Sequence, residues 1–226
     1  MEQKKSYIKV IDYIKYQIRI GELKMGEKLP SERELSVMLG VSRNSVREAI
    51  RTLDFMGIIS SQHGAGNYLT GNFENNLIES LSMLFILNQI NYKEISQLRF
   101  ALETQALLLA IDEISDEELK EIEEISLKLE SQTEENNVIL DKKLHYNIAI
   151  ASRNKLIVDI LQALSEIMNR FITDLRREIL LTEESKVKLQ ESHNNMVKSL
   201  INRDKELAYQ AINKHFELIN ENLSKF

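Results

Sequence analysis

Residues 29–51 read Leu-Pro-Ser-Glu-Arg-Glu-Leu-Ser-Val-Met-Leu-Gly-Val-Ser-Arg-Asn-Ser-Val-Arg-Glu-Ala-Ile-Arg, and this stretch decides the architecture. Pro30, the only proline in the chain, brings the backbone in extended, so Ser31 can cap a helix with Glu34 as its capping-box partner. Leu35, Met38 and Leu39 give that helix an apolar face, and Gly40 ends it. Ser42 can then cap a second helix, in which Val46, Ile50 and Leu53 fall on one side. A short helix, a glycine turn and a longer helix make a helix-turn-helix. Arg43, Arg47 and Arg51 recur every four residues on the second helix, forming a cationic ridge roughly opposite its apolar face.

The flanks complete a domain. Ile8, Ile11, Ile14 and Ile18 predict a helix over Tyr7–Ile20, ended by Gly21. Behind the helix-turn-helix, Gly57 breaks the helical period and Ile58-Ile59-Ser60 reads as a strand. Residues 62–66 supply turn chemistry, and Asn67-Tyr68-Leu69 returns as a second strand. Three helices and a β-hairpin make a winged helix over residues 1–70. Gly71-Asn72-Phe73-Glu74-Asn75-Asn76 reads as a linker.

Composition bounds the function. The 226 residues suffice for one large or two modest domains. There are no cysteines, which excludes disulfides, zinc ribbons and thiol catalysis. No apolar run approaches the ~20 residues of a membrane span and the N-terminus is polar, so a soluble cytoplasmic protein without a membrane partner is expected. The net charge of −6 hides an asymmetry: residues 1–72 carry 11 basic and 8 acidic side chains, and the remainder 18 and 27. A basic head on an acidic body suits a nucleic-acid reader with a second domain that keeps off the phosphates.

Residues 29–51 closely resemble the DNA-binding domain of the GntR family of bacterial transcription regulators. The run Leu-Pro-Ser-Glu-Arg-Glu-Leu, then Gly-Val-Ser-Arg, then Val-Arg-Glu-Ala, follows that family in order over more than twenty consecutive residues. The resemblance implies that Arg33, Arg43 and Arg47 occupy DNA-contacting arginine positions. By the same resemblance Ser42, Asn44 and Ser45 occupy short polar contact positions, and His63 and Gly64 sit at a wing tip that reaches the minor groove. His63 also reads as an exposed turn residue. Arg51, further along the helix, reads as a phosphate contact or a solvated charge.

Beyond the linker the pattern is helical throughout. No proline or glycine follows Gly71, and apolar residues recur at three and four. Helices are predicted at about 75–89, 92–112, 116–133, 136–151, 155–181, 183–201 and 204–224, the third capped by Ser115 with Glu118. Six or seven helices without a repeat period make an all-α bundle over residues 77–226. The expected fold is therefore mainly α, a winged helix-turn-helix followed by a helical bundle.

Three of the four histidines lie in the bundle, each on an apolar helix side: His145, His193 and His215. Asp141 precedes His145 by one turn and shares its face. The last two helices turn at Asn202-Arg203-Asp204, and Asp204 is the midpoint between His193 and His215. Residues equidistant from the turn of an antiparallel helix pair lie at one height. Both imidazoles would then meet inside the bundle, with Asp141 and His145 facing them from another helix. Three imidazoles and a carboxylate can hold a divalent metal. Equally, they can be core histidines, with Asp141 pairing a charged His145.

This region resembles the FCD ligand-binding domain of FadR-like GntR regulators. Its metal motif is Asp, three residues, His, then two later histidines about twenty residues apart, and Asp141, His145, His193 and His215 match it one for one. Leu144 stands where the family more often has Phe. The resemblance implies a divalent metal (zinc first, nickel or manganese as alternatives) that holds a small carboxylic-acid effector. It places Arg99 on the acid's other end, although Arg99 also reads as an i,i+4 surface pair with Glu103 worth a few tenths of a kcal/mol. It argues against an acyl-CoA effector, since that branch lacks the metal site. The reading that follows is a homodimeric regulator, a repressor, on a palindromic double-stranded DNA operator. One alternative makes the metal itself the signal. Another is a helical metal-dependent hydrolase, which would leave the winged helix unexplained and lacks a His-Glu-x-x-His motif.

Overall fold

Helix α1 (Ser6–Arg19) buries Val10 and Ile14, with Ile8 and Ile11 half-buried beside them and Ile18 left exposed. The apolar face is thus rotated toward Val10, because helix α3 (Arg43–Phe55) presents Val46, Ala49, Ile50 and Leu53 to it. The computed structural model describes residues 6–62, 64–71, 74–129 and 134–223, which divide into two compact units, 1–80 and 81–226.

In the first unit, helix α2 (Glu32–Leu39) starts on Ser31, whose hydroxyl accepts the Glu34 N–H while Glu34 returns its carboxylate to the Ser31 N–H at 2.7 Å. Gly40 ends it in the left-handed region at φ 62°, where a Cβ would be strained. Only Leu35 of the expected apolar face is fully buried; Met38 lies exposed. Strands β1 (Ile59–Gln62) and β2 (Gly66–Leu69) pair antiparallel, Ile59 opposite Leu69. The segment before α2 adds a third line of pairing that the sequence pattern did not announce. Leu69 N–H donates to Glu27 O, Leu29 N–H to Asn67 O, and Lys28 bridges Tyr68. This ties the hairpin to the helix-turn-helix, so wing and recognition helix share one core of Leu29, Leu35, Leu53, Ile59 and Leu69.

Eight helices follow among the described residues: α4 (Glu74–Asn88), α5 (Tyr92–Glu113), α6 (Asp116–Leu129), α7 (Glu134–Ala151), α8 (Lys155–Ile167), α9 (Asn169–Ile179), α10 (Glu183–Ile201) and α11 (Lys205–Leu223). Two boundaries differ from expectation. Helix α4 begins at Glu74, inside the stretch 71–76 read as linker and a residue before the helix expected from about 75. The single helix expected over 155–181 is two, broken at Met168 (φ −92°, ψ 5°). Neither proline nor glycine marks that break. Met168 is buried in the core, so tertiary packing sets it and no local chemistry announces it.

The second unit closes around Leu107, Ile111, Ile122, Leu144, Leu164, Met196, Leu200 and Ile212, all essentially inaccessible to solvent. Each fully buried side chain of this kind contributes about 1.5–3 kcal/mol relative to exposure. Helix ends are satisfied as their sequences require. Asn91 and Glu94 box the start of α5, and Ser115 and Glu118 that of α6. Arg203, in the turn between α10 and α11, donates to the Ile111 and Ile114 carbonyls at the end of α5, covering groups the helix itself leaves unpaired. Helix α5 packs against α7, α10 and α11. No helix among the described residues is long and apolar enough to cross a membrane.

Candidate metal centre and nucleic-acid interface

On the first unit, Ser42 caps α3, accepting the Ser45 N–H at 3.1 Å, and its hydroxyl lies 3.0 Å from that of Ser45. The cap aims the first turn outward, so Arg43 and Asn44 are exposed at the end of a helix whose opposite face is buried. Arg33 is exposed on α2, and Arg51 two turns along α3. Arg47 is engaged: its Nε donates to Glu32 Oε2 at 2.8 Å, across the turn between the helices. Both side chains are open to solvent, and such a pair is worth about 0–1 kcal/mol, which a phosphate or base edge can displace. Gly64 is exposed at the hairpin tip with φ 74°. His63 lies outside the described residues.

In the second unit, α7 carries Asp141 and His145, α10 carries His193, and α11 carries His215. The turn at 202–204 does set His193 and His215 at one height. Their ring centroids are 4.9 Å apart, and His145 reaches both, at 5.5 Å from His193 and 5.0 Å from His215. One ligand atom of each ring lies within 4.8 Å of the other two. Asp141 Oδ1 stands 3.3 Å from His193 Nε2 without the geometry of a hydrogen bond.

The side chains behind these rings decide which nitrogen is offered. The Ser192 hydroxyl donates to Leu189 O, leaving its oxygen to accept from His215 Nδ1 at 3.1 Å. His215 therefore carries its proton on Nδ1, and Nε2 is bare. His145 Nδ1 faces Glu103 Oε2 at 2.8 Å. The buried Nε2 atoms of His145 and His193 have no hydrogen-bond partner. Unpaired buried nitrogens are costly, and these two, converging with the His215 ring and a carboxylate, form the donor set of a divalent metal at bonds of ~2.0–2.2 Å. The residues present suit a metal.

Electrostatics agree. Burial pushes His193 down to about 4. Burial, then the neighbouring His193 and His145, holds His215 well below the usual histidine value. Both are neutral at pH 7, as ligands must be. Burial also works against charge on His145, but Glu103 and then Asp141 outweigh it and raise its pKa. Burial opposes ionisation of Asp141, yet His193 and Arg176 hold its carboxyl below the ordinary range. Glu103, likewise opposed by burial, is brought to about 2 by Arg99 and His145.

Two arginines complete the centre. Arg176 on α9, 7% exposed, donates to Asp141 Oδ1 at 2.5 Å. Arg99 on α5 donates to Glu103 Oε1 through Nε at 2.8 Å, with Nη2 2.7 Å from the same oxygen. The Arg99–Glu103 pair exists, but it is buried in the centre, not displayed on a surface. A cleft of about 380 Å³ opens onto Arg99, Glu103, Asp141 and His145, with Tyr146 and Gln162 on its walls. The sequence singled out Asp141, His145, His193, His215 and Arg99, and the structure brings the five side chains into one place. It missed the roles of Glu103, Ser192 and Arg176. Glu103 had a readable signal, since Ala106, Leu107 and Ala110 place it on the buried face of α5.

Comparison with known proteins agrees with both halves. Residues 94–218 match the FCD domain, and residues 6–69 match the bacterial regulatory proteins of the gntR family. The chain is 27% identical over 213 residues to the HTH-type transcriptional regulator LutR of Bacillus subtilis, covering 92% of this chain and 97% of that protein. It is 26% identical over 224 residues to the putative L-lactate dehydrogenase operon regulatory protein of Escherichia coli, covering 96% and 86%. The solved structure of Streptococcus agalactiae GntR superposes with a TM-score of 0.65 at 22% identity, over 95% of this chain and 99% of that one. That likeness concerns the fold.

Proposed function

This chain belongs to the gntR family of bacterial regulatory proteins, with an FCD domain behind its DNA-binding half, and from that premise we propose a transcription regulator whose signal is a small carboxylic acid taken up beside a divalent metal. The family and the relatives are transcriptional regulators, not enzymes, so the hydrolase reading is set aside. Asp141, His145, His193 and His215 would hold the metal, zinc before nickel or manganese. The ion would supply Lewis acidity for an anionic ligand in its open positions.

One observation carries the reading: with neutral imidazoles, as metal ligands must be, the charges around the histidines cancel. Asp141 and Glu103 are matched by Arg176 and Arg99, and His193 and His215 are held neutral by burial. His145, whose pKa Glu103 and Asp141 raise against burial, gives up its proton on ligating. A divalent cation added there leaves two uncompensated positive charges in a buried place, which favours an anion as the further ligand. The cleft reaches that spot, with Arg99 at its wall. Its size suits a small acid, and the relative named for an L-lactate dehydrogenase operon makes hydroxy acids the first class to try. The acid regulates only if it binds the free and DNA-bound forms with different affinity. On the DNA side the proposal is a homodimer on a palindromic operator, acting as a repressor that the acid releases.

The test is thermal unfolding of metal-loaded and chelator-treated protein against a panel of mono-, di- and hydroxy-carboxylic acids. An acid at 100 times its dissociation constant is expected to stabilise the protein by about 2.7 kcal/mol, and only with metal present. Stabilisation by metal with no response to any acid would favour the metal as the signal.

The DNA face gives a separate prediction. Arg43 stands in the first turn of α3, where a recognition helix meets base edges. Arg43→Ala should relax selectivity at one operator position, with a cost of about 1–3 kcal/mol. Arg51→Ala should weaken all sequences alike and reduce the salt slope by about one. Binding isotherms on operator and scrambled duplexes at several salt concentrations separate the two. Equal effects from both variants would contradict the division into base and phosphate contacts.

A further inference from the structure

The Arg99–Glu103–His145 chain has a logic that the proposed metal centre, on which this inference rests, does not by itself require. Glu103 is 5% exposed, so both carboxylate oxygens need donors. Oε1 takes Arg99 Nε and lies against Nη2, at 2.8 and 2.7 Å. Oε2 stands 2.8 Å from His145 Nδ1, within reach of its proton although the ring is not turned to full hydrogen-bond geometry, and it is buried with no other partner. On the far side of that imidazole, Nε2 is buried and unpaired, toward His193 and His215. Ser192 treats His215 in the same way, accepting from its Nδ1. Two helices thus carry a similar arrangement, with an acceptor oxygen behind the Nδ1 side of the ring.

We propose that Glu103 is a positioning residue of the metal centre, accepting the Nδ1–H of His145 and so fixing the tautomer that presents Nε2 to the ion. Outer partners of this kind orient a histidine ligand and raise its basicity. Because Arg99 binds the opposite oxygen, Glu103 also links the cleft wall to the ligand through one rigid carboxylate.

Glu103→Gln tests this in a way that mere packing does not imitate. The amide has a single acceptor oxygen, and Arg99, with two N–H groups aimed at it, claims that oxygen. The NH₂ then turns to His145 Nδ1, which must accept, forcing the ring proton onto Nε2 where the ion binds. The affinity for Zn²⁺, measured by competition with a chelating dye, should fall about 10–100-fold. Adding Arg99→Met to that variant frees the amide oxygen to accept from Nδ1–H, and most of the lost affinity should return. Far-UV circular dichroism checks that both variants keep their helices. If either does not fold, ¹⁵N spectra of histidine-labelled wild-type protein with Zn²⁺ decide, and His145 should be protonated at Nδ1. Unchanged affinity in Glu103→Gln, no recovery in the folded double variant, or the opposite tautomer overturns the proposal. A wild-type chain that takes up no Zn²⁺ overturns the metal-centre reading beneath it.

Discussion

Chelator-treated protein should melt well below metal-loaded protein. With free metal at about 1,000 times its dissociation constant, the native state gains about 4 kcal/mol over the stripped one, or roughly 8–16 °C for a chain of this size. The reason lies in what the ion would repair. Nε2 of His145 and of His193 are buried without partners, a cost the stripped protein carries and an ion removes. His193 has its pKa pushed by burial to about 4, so at neutral pH it offers a lone pair without first losing a proton. His193→Ala should erase the difference between loaded and stripped melting temperatures. That difference is the quantity to compare, because the deletion also leaves a cavity with its own cost of a few kcal/mol. Equal melting temperatures for loaded and stripped wild-type protein would return the histidines to the role of core residues.

Much of this was legible in the sequence because the deciding interactions are local. Ser31 with Glu34, Ser42 with Ser45, Ser115 with Glu118, and the left-handed Gly40 each act within a few residues, so residue type and spacing suffice. The meeting of His193 and His215 was readable for a related reason: one tight turn relates their two helices, and equal distance from it means equal height. What stayed hidden depends on elements far apart in the chain. The pairing of 27–29 with 67–69 joins segments about forty residues apart, with no hairpin turn to announce it. Arg176 sits in Leu-Arg-Arg-Glu, which reads as a solvated run. Its burial follows from the break at Met168, which no residue there signals, and from the location of Asp141 on another helix. Glu103 shows the same limit in milder form. Its partner Arg99 was visible at i−4, but the change from surface pair to buried bridge needs His145, forty-two residues on.

Arg176→Met should destabilise the stripped protein strongly and the loaded protein much less. The guanidinium is 8% exposed and donates to Asp141, itself 14% exposed, at 2.5 Å. Removing one member of a buried pair leaves the other charge uncompensated, at a typical cost of about 3–5 kcal/mol, or roughly 6–20 °C in melting temperature. In stripped protein burial keeps His193 neutral, and only the weaker pull of His145 and Arg99 is left on Asp141 once the arginine is gone. In loaded protein the ion provides that charge, so most of the cost should vanish. Linkage then requires the converse: a variant hurt less when loaded than when stripped must bind the metal more tightly than wild type. Melting curves of both proteins in both states, together with Zn²⁺ titrations, measure the two sides of this cycle independently. A loss equal in the stripped and loaded states would make Arg176 a packing residue, with no electrostatic tie to the centre. A larger loss in the loaded state would mean that its chief task is to hold Asp141 in place for the ion, and that this outweighs the repulsion between guanidinium and metal.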